Sequence, residues 1–317
     1  MNAVLSPAAL RILAAYGAAV LLFVLGALIH PGFASFPSVS AILLIASFVG
    51  LVAAGQCFVI LIGGIDLSVP WVLNAAAILI ATSSLGENSR ALYALALTLG
   101  MGALAGLANG AAIVWLGVPA VVMTLAMNGI VEGLALGLSG GMTCAACASY
   151  APPLVRAAVH GVFLGVPAAL WLWLAVILLV SFVLSFTRFG RATYAIGNNS
   201  RAAFLAGVNV SLTTISLYAL SGLFAALAGI LLVGFGGQAS LGMGAPYLFQ
   251  SIAAVVIGGV SILGGRGHYL GAAAGAVSLT ALVSVLLALN MPEYGRSIIY
   301  GVVILALLLL YGREQRE

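Results

Sequence analysis

Asp66 is the only aspartate among the 317 residues, and it stands in the stretch IGGIDLSVP at 62–70. A single formal charge, Arg11, precedes it. A carboxylate in such apolar company is costly and marks a site of some kind. Three chemistries fit. Aspartyl catalysis divides its roles between two carboxylates, and the nearest acid in sequence is Glu87, which belongs outside the membrane on the topology below. Ion coupling would use Asp66 to carry a proton or sodium ion, with Glu132 as its partner. An architectural carboxylate would sit with Ser68 ahead of Val69-Pro70. There it would accept the orphan amides of a helix's first turn and face the positive end of the dipole.

Glu132 is the second acid expected inside the membrane, one helical turn after Asn128 on the same face. The pair either lines a path, where a carboxylate can bond sugar hydroxyls, or fixes the packing of a neighbouring span. Asn74 and Asn109 carry the same ambiguity, with packing favoured. Cys144 and Cys147 form a CxxC with no histidine or second CxxC nearby, so small loop residues are the better reading; a labile disulfide stays open if the loop is external. His30, His160 and His268 lie near span ends without metal or triad spacing.

The elements that must position these groups follow from composition. Hydrophobic residues make up 64% of the chain and charged residues 5%, against about 25% charged in a soluble domain. This is an integral membrane protein of a single transmembrane domain, residues 1–317, in a lipid bilayer. All ten basic residues are arginines; without lysine the chain holds no phosphate-loop lysine, and no nucleic-acid footprint is present. Apolar runs between Gly, Pro and polar breaks predict about ten spans: 12–30, 39–62, 70–85, 91–116, 119–138, 166–186, 211–234, 247–263, 269–289 and 297–312. An uncleaved first helix with both termini in the cytoplasm places seven arginines inside and three outside. The stretch 139–165 is then external and 187–210 cytoplasmic.

Within 187–210, Asn198, Asn199 or Ser200 can cap a short helix SRAAFLAG that Gly207 can end. Such a helix between two spans is either a docking element or a plain positive linker. IGGIDLS at 62–68 is echoed by IGGVSIL at 257–263, and paired glycine breaks in two halves of a transporter often border its pathway. Gly267, Gly271 and Gly275 follow at a spacing that lets helix backbones approach closely.

Four blocks, in order, are GGIDLS (63–68), VPAVVMTLAMNGIVEGLAL (118–136), FGRATYAIGNNSRAAFLAGVNV (189–210) and SIAAVVIGGVSILGGRGHYLGAAAGA (251–276). On these the chain resembles the permease subunits of ribose/xylose/arabinose-type ABC importers; branched-chain amino-acid permeases are more distant. The resemblance implies an all-α type II importer-like fold of about ten helices in a bacterial inner membrane. It implies a homo- or heterodimer with a second permease copy, two cytoplasmic ATPase subunits that bind ATP and Mg, and a periplasmic sugar-binding protein. No cofactor is expected in this chain, which would not be an enzyme. The substrate implied is a monosaccharide, a pentose or a related sugar, with branched-chain amino acids or nucleosides as the other option. The third block is the coupling helix of that family, which assigns ATPase contact to Asn198, Asn199, Ser200, Arg201, Ala202, Ala203, Phe204, Leu205, Ala206 and Gly207. Gly63, Gly64, Asp66, Ser68, Asn128, Glu132, Gly258, Gly259 and Ser261 are expected at the pathway or its gate. Pro70-Trp71, PYLFQ before the fourth block, and Glu132 where many members have arginine depart from the pattern.

Overall fold

The computed structural model describes residues 7–139 and 150–292, with 294–296, 298, 299, 301, 302 and 305. Twelve α-helices are described in order: α1 Pro7–Ile29, α2 Phe36–Leu61, α3 Val69–Ser84, α4 Asn88–Trp115, α5 Ala120–Ser139, α6 Pro153–His160, α7 Ala168–Phe186, α8 Arg188–Asn198, α9 Ser200–Leu205, α10 Val210–Gly236, α11 Ala245–Ile257 and α12 Tyr269–Ala288. The only sheet among the described residues is a hairpin of β1 Val162–Phe163 and β2 Val166–Pro167. Nine of the ten expected spans coincide with helices. Of the tenth, 297–312, residues 298, 299, 301, 302 and 305 are described and helical; Cys144 and Cys147 lie outside the described residues.

Among the described residues, seven helices are long and apolar enough to cross a bilayer. The 16 residues of α3 and the 13 of α11 are not; at 1.5 Å per residue they reach about 24 and 20 Å against a core of about 30 Å. The expected spans 70–85 and 247–263 are thus too short to cross by themselves, and the bounds of the second are corrected. Its helix stops at Ile257, and Gly258 onward is loop. The described part of the expected external stretch holds α6 and the hairpin, and 187–210 holds two helices where one was expected.

The core is built around α10, which packs on α2, α3, α4 and α6, while α12 bridges α1, α2 and α11. Inside a bilayer apolar burial against lipid gains little, so close packing carries the association. Glycine supplies it on α4. A methyl group on Gly106 would strike the Tyr218 carbonyl oxygen, and one on Gly110 would lie 2.6 Å from the Ile215 Cα. On α12, methyls on Gly271 and Gly275 would strike the carbonyls of Gly258 and Ala254 on the α11 side, as the four-residue spacing predicts. Tyr269 at the start of α12 donates its hydroxyl to the Gly50 carbonyl at 2.8 Å and accepts the Trp173 indole N–H at 3.1 Å, tying α12, α2 and α7 together.

Gly106→Ala must separate α4 from α10 and should lower stability by about 1–3 kcal/mol, as overpacking does. Gly100→Ala on the same helix meets open space and should be neutral or mildly stabilising. Thermal unfolding of the two variants in detergent checks the contrast.

Candidate functional site

The site grows from the break between α2 and α3. Helix α2 ends in a Schellman turn: the Gly63 amide donates to the Ile60 carbonyl at 2.9 Å and the Gly64 amide to Val59 at 3.0 Å, with Gly63 at φ +78°. The chain then passes through Asp66, which is fully buried. Its Oδ1 accepts the Ser68 amide at 3.0 Å and the Ser68 hydroxyl at 2.6 Å; its Oδ2 accepts the Ser221 hydroxyl of α10 at 2.7 Å. Ser68 Oγ in turn accepts from Asn109 Nδ2 of α4 at 3.0 Å. The backbone of Asp66 is clamped as well, its carbonyl accepting from Gln56 Nε2 at 2.6 Å and its amide donating to Gln56 Oε1 at 3.3 Å.

This corrects the capping expectation. Ser68 is the N-cap residue of α3 but makes no side-chain cap bond, and Asp66 takes one amide, that of Ser68, and none from the first turn. The carboxylate instead joins the start of α3 to α4 and α10. Because hydroxyls and an amide occupy both oxygens, an anion here is solvated by oriented dipoles and not by a cation.

The second break repeats the first one residue out of step. The Gly259 amide donates to Val256 at 2.8 Å and the Val260 amide to Val255 at 3.2 Å, with Gly259 at φ +79°. Gly63 thus corresponds to Gly259, although the letters IGG align it with Gly258. Sequence matching cannot see this, because either glycine of a Gly-Gly pair can take the left-handed turn. After the break, the Ser261 amide donates to the Arg266 carbonyl at 2.9 Å and closes a tight loop.

The two breaks are gathered by α8. The Gly265 amide donates to the Leu61 carbonyl at 2.8 Å, the Tyr194 hydroxyl to the Gly267 carbonyl at 2.7 Å, and Asn198 Nδ2 to the Gly265 carbonyl at 3.3 Å. Asn198 therefore belongs to this junction and ends α8. Asn199 is the cap of α9, its Oδ1 accepting the Ala202 amide at 2.9 Å, and Gly207 at φ +83° turns the chain afterwards. Of α9 only Ala203 is buried; Phe204 and Leu205 are 68% and 79% exposed, beside exposed Ser200, Arg201, Ala202 and Ala206.

Asn128 and Glu132 lie apart from this junction, on α5. Both are half-buried within the chain, and no described side chain bonds to Glu132. Asn128 Oδ1 is shielded and without a partner among the described residues. A cavity of about 430 Å³ lies between α3, α4 and α5, walled by Ala75, Leu104, Met127 and Val131 among others, with Thr82 and Ser139 as its hydroxyls. Asn74 is buried on α3 with neither amide atom partnered among the described residues. The three histidines serve the fold, with His268 Nε2 also hydrogen-bonded to Ser185 Oγ at 3.0 Å. His30 caps a single 3-10 turn, His160 stacks on Phe235, and His268 caps α12.

Sequence reasoning missed Gln56, Ser221, Tyr194 and Gly197. Gln56 had a signal, since it is the only amide side chain in α2. Ser221 had none, because its partner is 155 residues away.

Asp66→Asn keeps an acceptor at one oxygen and should lose part of the stability. Asp66→Leu orphans the hydroxyls of Ser68 and Ser221 and should lose more, at about 1–3 kcal/mol per unsatisfied group; unfolding midpoints rank them. His268 Nδ1 accepts the Leu270 amide at 3.2 Å, and burial holds its pKa below the ordinary value. The folded state then binds fewer protons than the unfolded chain, so stability is full above about pH 6.5 and falls as pH drops below it. In His268→Asn, which can still cap, the melting temperature should fall less between pH 7 and 5.5.

Comparison with known proteins agrees with this architecture. The family described as branched-chain amino acid transport system / permease component matches residues 38–308. The chain is 35% identical over 300 residues to the autoinducer 2 import system permease protein LsrC of Shigella flexneri, covering 93% of this chain and 85% of that one. The same identity and coverage hold for the Escherichia coli (strain K12 / DH10B) protein of that name. The Salmonella paratyphi B protein is 34% identical over 296 residues, covering 93% and 84%. No solved structure matches significantly. With its blocks, its glycine-broken helices and its relatives in accord over nearly the full length, the chain belongs to the family of multi-pass membrane permease components of ABC importers.

Proposed function

We propose that the chain is the membrane-spanning subunit of an ATP-driven importer for a monosaccharide-sized, hydroxyl-rich solute. The observation that carries this reading is α9, a capped six-residue helix that shows Phe204 and Leu205 to solvent while α8 fixes it to the helix core. Two exposed apolar side chains on a preformed helix suit a groove on a cytoplasmic ATPase partner, which would bind ATP and Mg. A periplasmic binding protein would deliver the solute, and a second permease copy would complete the pathway. Both termini lie in the cytoplasm of a bacterial inner membrane on this reading, which the arginine distribution supports. Glu132 and Asn128 supply a carboxylate and an amide for solute hydroxyls, and the two breaks with Gly63, Gly64, Asp66, Ser68, Gly258, Gly259 and Ser261 border the gate.

The relatives named for autoinducer 2 import favour a sugar-like solute, whereas the family description names branched-chain amino acids. Ion coupling through Asp66 is disfavoured, because both of its oxygens are already hydrogen-bonded within a fully buried site.

Proteoliposomes holding the permease, its ATPase and its binding protein test the reading, with autoinducer 2, D-ribose and L-leucine as probes. Uptake should require ATP, stop with vanadate and survive an uncoupler. Uptake without the ATPase, or its collapse with the uncoupler alone, would overturn the importer; preference for leucine would overturn the sugar-like solute. Glu132→Gln should weaken uptake of the preferred probe while leaving ATP hydrolysis intact.

A further inference from the structure

Where the end of α8 meets the helix breaks, backbone lies directly against backbone. A methyl group on Gly197 of α8 would collide with the Leu61 carbonyl oxygen and come within 2.5 Å of the Gly265 amide nitrogen. One on Gly264 would lie 2.9 Å from the Gly63 nitrogen, 3.0 Å from the Leu61 oxygen and 3.1 Å from the Gly197 oxygen. Three backbones therefore touch at one point: the end of α8, the end of α2 and the loop after α11. The Leu61 carbonyl, a group that the end of α2 leaves open, is taken by Gly265 and so by another element. Outside the contact, Tyr194 and Asn198 brace the same loop through the carbonyls of Gly267 and Gly265. On its far side α8 continues into α9 with no slack, for the Asn199 amide donates to Ala195 at 3.0 Å and the Asn199 carbonyl accepts from Ala203 at 2.9 Å.

We propose that α8, the end of α2 and residues 261–267 form one rigid joint that carries any displacement of α9 to both helix breaks together, with Gly197 and Tyr194 as its positioning residues. Flexible side chains would absorb a push by changing rotamer; backbone in direct contact cannot, because such packing has discrete arrangements and little compressibility. A displacement of α9 by about an ångström then reaches Leu61 and Gly265 undiminished. Because the same loop lies against Gly63 through Gly264 and against Val260 through Gly267, both breaks receive the same input, and neither opens without the other. The inference rests on the importer reading, which makes α9 the place where force enters.

Pulsed electron paramagnetic resonance tests this in the complex with its ATPase, in a Cys144→Ser, Cys147→Ser background. One spin-label pair is Ala206→Cys with Leu263→Cys, across the joint; the other is Ala206→Cys with Leu85→Cys, at the far end of α3. On trapping with ATP and vanadate, the first distance should stay unchanged and the second should shift. Gly197→Ala should make the first distance nucleotide-dependent and shrink the shift in the second. Tyr194→Phe, which loses only the hydroxyl and keeps the fold, should do the same to a lesser degree. A nucleotide-driven change in the first pair of the parent overturns the joint. So does a Tyr194→Phe protein that behaves as the parent, or hydrolysis with neither distance moving. A complex that fails to hydrolyse ATP overturns the importer reading instead, and the joint's role with it.

Discussion

A helix that stops while packed against other helices leaves carbonyls and amides that must find partners within the protein, each at a cost of several kcal/mol if unmet. Much else in this protein follows from having two such stops, after Leu61 and after Ile257. Each is closed first by its own Schellman turn, which satisfies carbonyls within the turn, and then by a neighbour: Leu61 by Gly265, the Gly267 carbonyl by Tyr194. The glycines that crowd this region serve that closure, since only a residue without Cβ lets a third backbone come near enough to bond.

The same constraint explains the Asp66 cluster. The start of α3 is buried among helices, and polar side chains from α2, α4, α10 and the break itself converge there. A buried charge met by one or two donors would weaken the fold; a charge met by three donors, one of them itself held by Asn109, rigidifies it. The network fixes where α3 begins and, with it, the wall that α3 gives to the cavity shared with α4 and α5.

The spans were legible because hydrophobic run length is a one-dimensional signal, and the α9 cap because Asn199 and Gly207 act on neighbours in sequence. Asp66 was legible as architecture but not in its partners, since Ser221 and Asn109 reach it through packing of distant helices. The repeat of the glycine break could be read as letters, yet its register could not, because φ at a Gly-Gly pair is set by what lies across the interface. The surroundings of Glu132 are not legible for a related reason: a single turn of sequence does not say which side of α5 the rest of the chain will cover. Helix α8 is not legible in the sequence because Gly190, Gly197 and Asn198 are poor helix formers; it is held by packing on α7, α10 and α2.

The span between Asp66 and Ser221 has a consequence for synthesis. The two are 155 residues apart, and at 5–20 residues per second a ribosome takes roughly 8–30 s to cover that distance. For that interval the nascent chain carries Asp66 without its Oδ2 partner, ahead of an α3 too short to hold a bilayer by itself. The Asp66 network between α2 and α3 therefore closes late in synthesis, when α10 brings Ser221 to it, and not when α3 itself is made.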